Sequence, residues 1–477
     1  VTGEYIAFHA AERPDAVAIL DNGRSITYAE FARDIRKLAH ALRALDMPRG
    51  SRVAIDCDDT YSNWLLRLAF ERLRVVAATV ELPDRPDALG LMRDFDIVLS
   101  DKSFPPGTGP RYHATTAEWL QGVLAGGEED QEPTAEKLPD DPIRIVLTSG
   151  TTGRSKKLLF TRRRHESLIT NTIWFAGLTR QSRYLLALSL TVGGPAACFR
   201  VGGTVVIETR MSVGEAIVAH GITHTTLPPF TLKRVLDELR PDFAKPAELT
   251  ILSFGAGISR ALRERALARL ATDVCDMYSS NEAGFVSSAR GTAEIGTVWP
   301  GVRVEVVDEH DRPLPFGEAG RIRVQTDCML DGYIDDPQTT ARIFRNGWFY
   351  AADIGILHDA HRLQVIGRSD DVLNIGWRKI APETIEDMVL KVVKVGDVGV
   401  CSVPNADGIE EICIAVSSPP VGDEELLRRI TDAFRGFQFG RFRVIKVPDI
   451  PRTPNGKLQR KILKDAVARV VRESSAR

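Results

Sequence analysis

The sequence predicts an α/β protein: a large N-terminal region of two αβ layers plus a small β-barrel-like subdomain, followed by a small α+β C-terminal domain. Three observations carry that prediction. Apolar runs and amphipathic segments alternate over residues 26–80 and again over 143–290. After Gly296 the texture changes to short alternating strands separated by Gly/Pro turns. Beyond Arg368, helices and strands follow each other once more to the end of the chain.

In chain order, ITYAEFARDIRKLAHALRAL (26–45) places Phe31, Ile35, Leu38, Leu42 and Leu45 at helical spacing. SRVAID (51–56) reads as a strand, 61–74 as a helix and VVAATV (75–80) as a buried strand. Such alternation implies a parallel sheet with helices on its faces. Residues 124–142, LAGGEEDQEPTAEKLPDDP, are acidic and carry Pro and Gly, as an exposed connector does. The second block offers strands at IRIVL (143–147), YLLALSL (184–190), GTVVIE (203–208), THTTLP (223–228) and LTILSF (249–254). VRVEVVD, GRIRVQT and HRLQVIG are the short strands of the small β subdomain. The tail offers a helix at 382–394, strands near VGVCSVP and EICIAVSS, and a helix near 423–436. SDD (369–371) reads as a hinge, dividing the chain into 1–369 and 370–477. No internal repeat is present.

Composition excludes several function classes. Of 477 residues, 43% are apolar and 26% charged, with net charge −2, so no basic field recruits nucleic acid or anionic lipid. The six cysteines (Cys57, Cys198, Cys275, Cys328, Cys401, Cys413) form no CxxC pair, against a zinc site or a disulfide framework. The start has neither a basic n-region nor an apolar h-region. No apolar run approaches the ~18–20 residues of an integral membrane segment. The expectation is a cytoplasmic protein of enzyme size with reduced thiols.

LTSGTTGRSKKLLF (147–160) follows the apolar run at 143–147. A Gly/Ser/Thr loop after a buried strand presents backbone N–H groups and hydroxyls to one point, and lysine adds charge; that suits a polyphosphate. The Walker pattern fails, because Ser155 stands where its second glycine belongs. Composition alone leaves a polar surface turn equally open.

The order of the residues resembles the AMP-forming ligases: acyl-CoA synthetases, adenylation domains and luciferases. Ser149 to Gly153 with Lys156 resembles their phosphate loop. YSSNEAG (278–284) resembles the aromatic-G-x-T-E motif, and GYIDDPQTTARIF (332–344) the G-Y-x-x-x-P-x-x-T segment. GWFYAADIG (347–355), VIGRSDD (365–371) and PRTPNGKLQR (451–460) resemble three further motifs in the family's order. The resemblance covers about residues 1–470.

It implies ATP-dependent activation of a carboxylic acid to an acyl-adenylate, release of pyrophosphate, and transfer to a thiol, coenzyme A or an acyl-carrier protein. The difficulty of that chemistry is repulsion between a carboxylate and a polyanion, so it needs neutralised charge and in-line placement. By resemblance, Thr148, Ser149, Gly150, Thr151, Thr152, Gly153 and Lys156 hold the β- and γ-phosphates. Ser155-Lys156-Lys157 departs from the usual Pro-Lys-Gly end, and the added cation Lys157 either strengthens phosphate attraction or is simply solvated. Glu282 carries Mg²⁺, Tyr278 lies against adenine, and Gly255, Ala256 and Gly257 form the adenine-edge turn. Asn281 replaces the usual threonine at the α-phosphate. Asp353 and Arg368 grip the ribose hydroxyls, and Ala351-Ala352 replaces the usual Thr-Gly before them. Lys457 reaches both reacting anions. Asp370 is the hinge about which a mobile C-terminal domain swings, and Gly376-Trp377 stands where many relatives have two glycines lining the thiol tunnel.

The acid should lie near LSLTVGGP (188–195), THTTLPPF (223–230) and SFGAG (253–257). The first lacks the early aspartate of amino-acid-activating relatives and is small and apolar, which implies an alkyl or aryl acid. His224 either faces the acid or is packed locally. Two alternatives stay beside a CoA ligase: an acyl-carrier-protein ligase, and a member that binds nucleotide or acyl-adenylate without turnover.

Overall fold

The computed structural model describes residues 2–80, 93–102, 111–127, 129, 138–148, 156–187, 193–255, 257–369, 373–375, 378–380, 382–393, 395–404, 410–419, 421–434, 442–453 and 456–475. Local signals set its elements. Thr27 caps the helix Tyr28–Leu42: its hydroxyl accepts from Glu30 N at 3.2 Å, and the Glu30 carboxylate accepts from Thr27 N at 2.8 Å. Phe31, Ile35, Leu38 and Leu42 are buried, as their spacing predicts. Leu45 falls in a 3₁₀ turn, Arg43–Leu45.

The first sheet runs in the order Arg111–Ala114, Ile97–Ser100, Arg52–Asp56, Val76–Thr79, Pro142–Thr148, Lys156–Thr161. It is parallel except for the last pair, an antiparallel hairpin with Thr148 opposite Lys156. The second sheet has a parallel half made of Val17–Asp21, Thr204–Ile207, Arg183–Leu185, His224–Thr226, Thr250–Phe254 and Asp273–Ser280. Strands of both sheets are covered on both faces. Val53, Ile55 and Leu99 of the first share one core with Ile19, Val205 and Cys275 of the second, through helix residues such as Leu38, Leu65 and Ile169. Ile251 and Val274 face away into a separate core with Ile217, Leu232 and Ala266. Burial on both faces explains why these strands read as continuous apolar runs.

The strands assigned to a β-barrel-like subdomain have their own core, including Val306, Ile322, Val324 and Phe349. Their ladder is nevertheless continuous with the parallel sheet: Asp273–Ser280 pairs with Gly284–Arg290, then Gly296–Val298, Arg362–Arg368, Trp348–Asp359, Ala319–Gln325 and Arg303–Val307. The strand expected over 184–190 is Arg183–Leu185, because its neighbours on either side pair only with those three residues; 188–190 lie outside the described residues.

In the C-terminal region, Asp397–Pro404, Glu410–Ser417 and Phe442–Val447 form a three-stranded sheet. Helices Pro382–Val392 and Asp423–Ala433 cover one face through Val389, Leu426 and Ile430. Helix Arg460–Ser475 covers the other through Leu463 and Val467.

One buried hydrogen bond ties the first long helix to the second sheet: Tyr28 Oη donates to Gly203 O at 2.7 Å. Tyr28→Phe leaves that carbonyl without its partner and is expected to lower stability by about 1–2 kcal/mol, read by urea denaturation. An unchanged midpoint would show that the carbonyl finds another donor.

Candidate active site

Parallel strands deliver the site's residues from their C-terminal ends. Pro142–Thr148 ends where the phosphate loop begins, Thr250–Phe254 ends at Gly255, and Asp273–Ser280 ends at the Asn281-Glu282 turn. Ser149 to Gly153, Ala256, Asp370, Gly376 and Trp377 lie outside the described residues, as do 188–192. Of Thr148 only the backbone is described, opposite Lys156.

The centre of the site is the Asp353 carboxylate. Tyr278 Oη donates to its Oδ2 at 2.7 Å, and Arg368 is its direct partner on the neighbouring strand. Burial pushes the carboxyl up from its ordinary range; the Tyr278 hydrogen bond, Arg368 and Lys457 pull it back. Burial, then Asp353, holds the Tyr278 phenol protonated, so it remains a donor.

Lys457 is exposed on a tightly held turn. Gly456 N donates to Thr453 O and Thr453 N to Lys457 O, both at 2.8 Å. Gly456 has φ +77°, which favours glycine there. Arg452 grips Asp397 through Nε at 2.6 Å and Nη2 at 2.8 Å, and donates from Nη1 to Gly456 O at 3.0 Å. Arg460 donates to Glu386 at 2.5 Å and to Val400 O at 2.7 Å. The two arginines flanking the lysine thus bolt its turn to the C-terminal sheet.

The second cluster is Glu282, Tyr333 and Lys156. Tyr333 Oη donates to Glu282 Oε1 at 2.7 Å, and Lys156 Nζ stands 4.8 Å from the centre of the Tyr333 ring. Lys157, one residue on along the strand, points to the opposite face. There it is buried between Asp335 at 2.8 Å and Asp94 at 2.9 Å, so it is not a second cation for the phosphate loop. Asn281 is exposed.

Gly255 and Gly257 are exposed, Gly255 with φ +89°. Their turn is fixed from below by Arg263, 2% exposed, which donates from Nε to Ile258 O at 3.1 Å and from Nη2 to Asp276 at 2.5 Å. His224 is packed: Nδ1 meets Thr223 Oγ1 at 2.7 Å and Nε2 meets Ala176 O at 3.0 Å. Both ring nitrogens are engaged, which settles it as a structural histidine. Beside the acid segment, Gly194 lies under Tyr184, whose hydroxyl would be 2.1 Å from a Cβ there.

Arg164, Arg263, Arg452 and Tyr333 were not singled out by the sequence. Tyr333 lay inside a quoted motif. Arg452 also lay inside a quoted motif, PRTPNGKLQR, whereas Arg164 and Arg263 sit in the charged stretches RRRH and RALRER. Among the described residues no group of three or more His, Cys, Asp or Glu side chains could cage a metal. A single carboxylate, Glu282, beside Tyr333 and Lys156 fits Mg²⁺, which keeps phosphate and water ligands, better than metals needing an all-protein shell.

A family model described as AMP-binding enzyme matches residues 6–334. A fatty acid–[acyl-carrier-protein] ligase, MmaC of Mycobacterium marinum, is 23% identical over 98% of this chain and 98% of its own. A salicylyl-CoA synthase / salicylate adenylyltransferase of a Streptomyces species is 26% identical over 98% of this chain and 93% of its own. The fold is that of O-succinylbenzoate coenzyme A synthetase (MenE) from Bacillus subtilis, solved with ATP and magnesium: TM-score 0.81, 21% identity, covering 97% of this chain and 99% of that one. With the family model spanning well over half of its length, the chain belongs to the AMP-binding enzyme family.

Proposed function

We propose that the protein is an AMP-forming ligase that activates an alkyl or aryl carboxylic acid with ATP and passes the acyl group to a thiol, coenzyme A. The observation that carries this reading is the convergence of Tyr278, Arg368 and the charge of Lys457 on one carboxylate, Asp353.

In the first step the substrate carboxylate attacks the α-phosphorus, the bond to the bridging oxygen breaks, and pyrophosphate leaves. Tyr278 occupies one of about four acceptor positions on Asp353, leaving others for the cis-diol of a ribose. Lys457 offsets charge on both anions as they meet. Lys156, with the loop before it, holds the departing phosphates, and Glu282 would hold Mg²⁺, which neutralises phosphate charge. In the second step a thiolate attacks the acyl carbon and AMP leaves. The likeness to an acyl-carrier-protein ligase supports a second reading, in which the thiol belongs to a carrier-bound pantetheine.

A panel of alkyl and aryl acids tests the first step. At least one should drive pyrophosphate release that requires ATP and Mg²⁺; α-amino acids should not. Silence across the panel would reduce the protein to a nucleotide binder. For the second step, CoA is compared with a loaded carrier using the wild type and Trp377→Gly. The substitution is expected to raise CoA-thioester yield with adenylation unchanged. Rapid thioester formation by the wild type would show that Trp377 does not obstruct the thiol.

A further inference from the structure

The turn that presents Glu282 has every backbone carbonyl occupied from behind. Glu282 O accepts from Leu330 N at 2.9 Å, and Ala283 O from Thr326 Oγ1 at 2.8 Å. The two carbonyls before them, Ser280 O and Asn281 O, both accept from Arg164 Nη2, at 3.4 and 3.2 Å. Arg164 is 3% exposed and lies over the Phe160 ring at 5.4 Å. Its Nε is buried with no hydrogen-bond partner among the described residues. The other side of the turn is cut to fit it: Gly284 has φ +86°, and a Cβ there would stand 2.4 Å from Arg164 Nη1.

A buried guanidinium with no carboxylate at hydrogen-bond distance among the described residues is an unusual choice for simple packing, because desolvating its charge is costly unless an anion compensates. Burial does push its pKa down, and Cys328 and then Glu282 pull it back. The chain gives Arg164 a particular address. It opens the helix Arg162–Ala176, three residues after the strand that Lys156 begins. Thus the hairpin carrying the phosphate loop and the turn carrying Glu282 are joined through one side chain.

We propose that Arg164 is a positioning residue for the metal-phosphate site. Its fork fixes the Ser280–Asn281 backbone so that Glu282 is presented to a divalent cation, and its buried charge adds to the field that holds a polyphosphate there. This rests on the ligase reading for the role of Glu282, but not for the arginine's contacts.

The test is calorimetric binding of ATP to the full chain, with Mg²⁺ and with EDTA, for the wild type, Arg164→Met and Arg164→Lys. Arg164→Met should weaken binding of the magnesium complex about 10- to 100-fold, the scale of a lost charge-assisted hydrogen bond. It should weaken metal-free ATP less. Arg164→Lys keeps the charge and should recover part of the affinity. A lower melting temperature with unchanged affinity for MgATP would overturn the proposal, as would equal losses with and without the metal. Should Arg164→Met not fold, Gly284→Ala, which displaces the guanidinium, is read in the same two titrations. If the wild type binds MgATP but no acid provokes pyrophosphate release, the ligase reading fails while Arg164 is still tested.

Discussion

A carboxylate cannot approach a triphosphate unless positive charge arrives with it. At a separation of 4 Å, two unit charges repel by about 4 kcal/mol at an effective dielectric of 20. In the proposed reaction the compensating charge would come from two regions of the chain. Arg368 and Lys156 stand on strands of the N-terminal sheets, and Lys457 comes from the C-terminal domain. Arg368 and the charge of Lys457 meet at Asp353, while Lys156 stands over Tyr333 beside Glu282. Asp353 is pushed toward protonation by burial and drawn back by its neighbours, of which Lys457 belongs to the other domain.

The site's working segments are turns, and turns lack the ladder that fixes strands. Three are stabilised by the same device, a guanidinium reaching their carbonyls. Arg164 holds Ser280 and Asn281, Arg263 holds Ile258, and Arg452 holds Gly456. A planar fork suits this task because one side chain can serve a carbonyl and a second acceptor together. Arg263 and Arg452 each do so with an aspartate as the second acceptor. Among the described residues Arg164 has no carboxylate at hydrogen-bond distance, the difference that singles it out.

Much of this was legible in the sequence. In the proposed reading, residues that would touch a phosphate, ribose or metal are restricted by chemistry, so their types and order stand out as motifs around Glu282, Asp353, Arg368 and Lys457. Core strands were legible because burial on both faces leaves continuous apolar runs. What was not legible depends on pairing between distant segments. Nothing in HRLQVIG says that its first residues pair with Gly296-Thr297, so the β subdomain read as separate from the sheet it extends. Arg164 and Lys157 sit in basic stretches, yet each is buried with partners more than 60 residues away in sequence. For His224 the sequence offered two roles, and only the positions of Thr223 and the distant Ala176 carbonyl decided between them.

The central claim is that a cation from the C-terminal domain must join the anionic reactants before they combine. Lys457→Ala tests it most directly. With an acid that supports pyrophosphate release by the wild type, the variant should lose adenylate formation by at least about 100-fold, the scale of removing one group that stabilises transition-state charge. It should bind ATP within about threefold of the wild type. Acid-dependent pyrophosphate release at an undiminished rate would contradict the account.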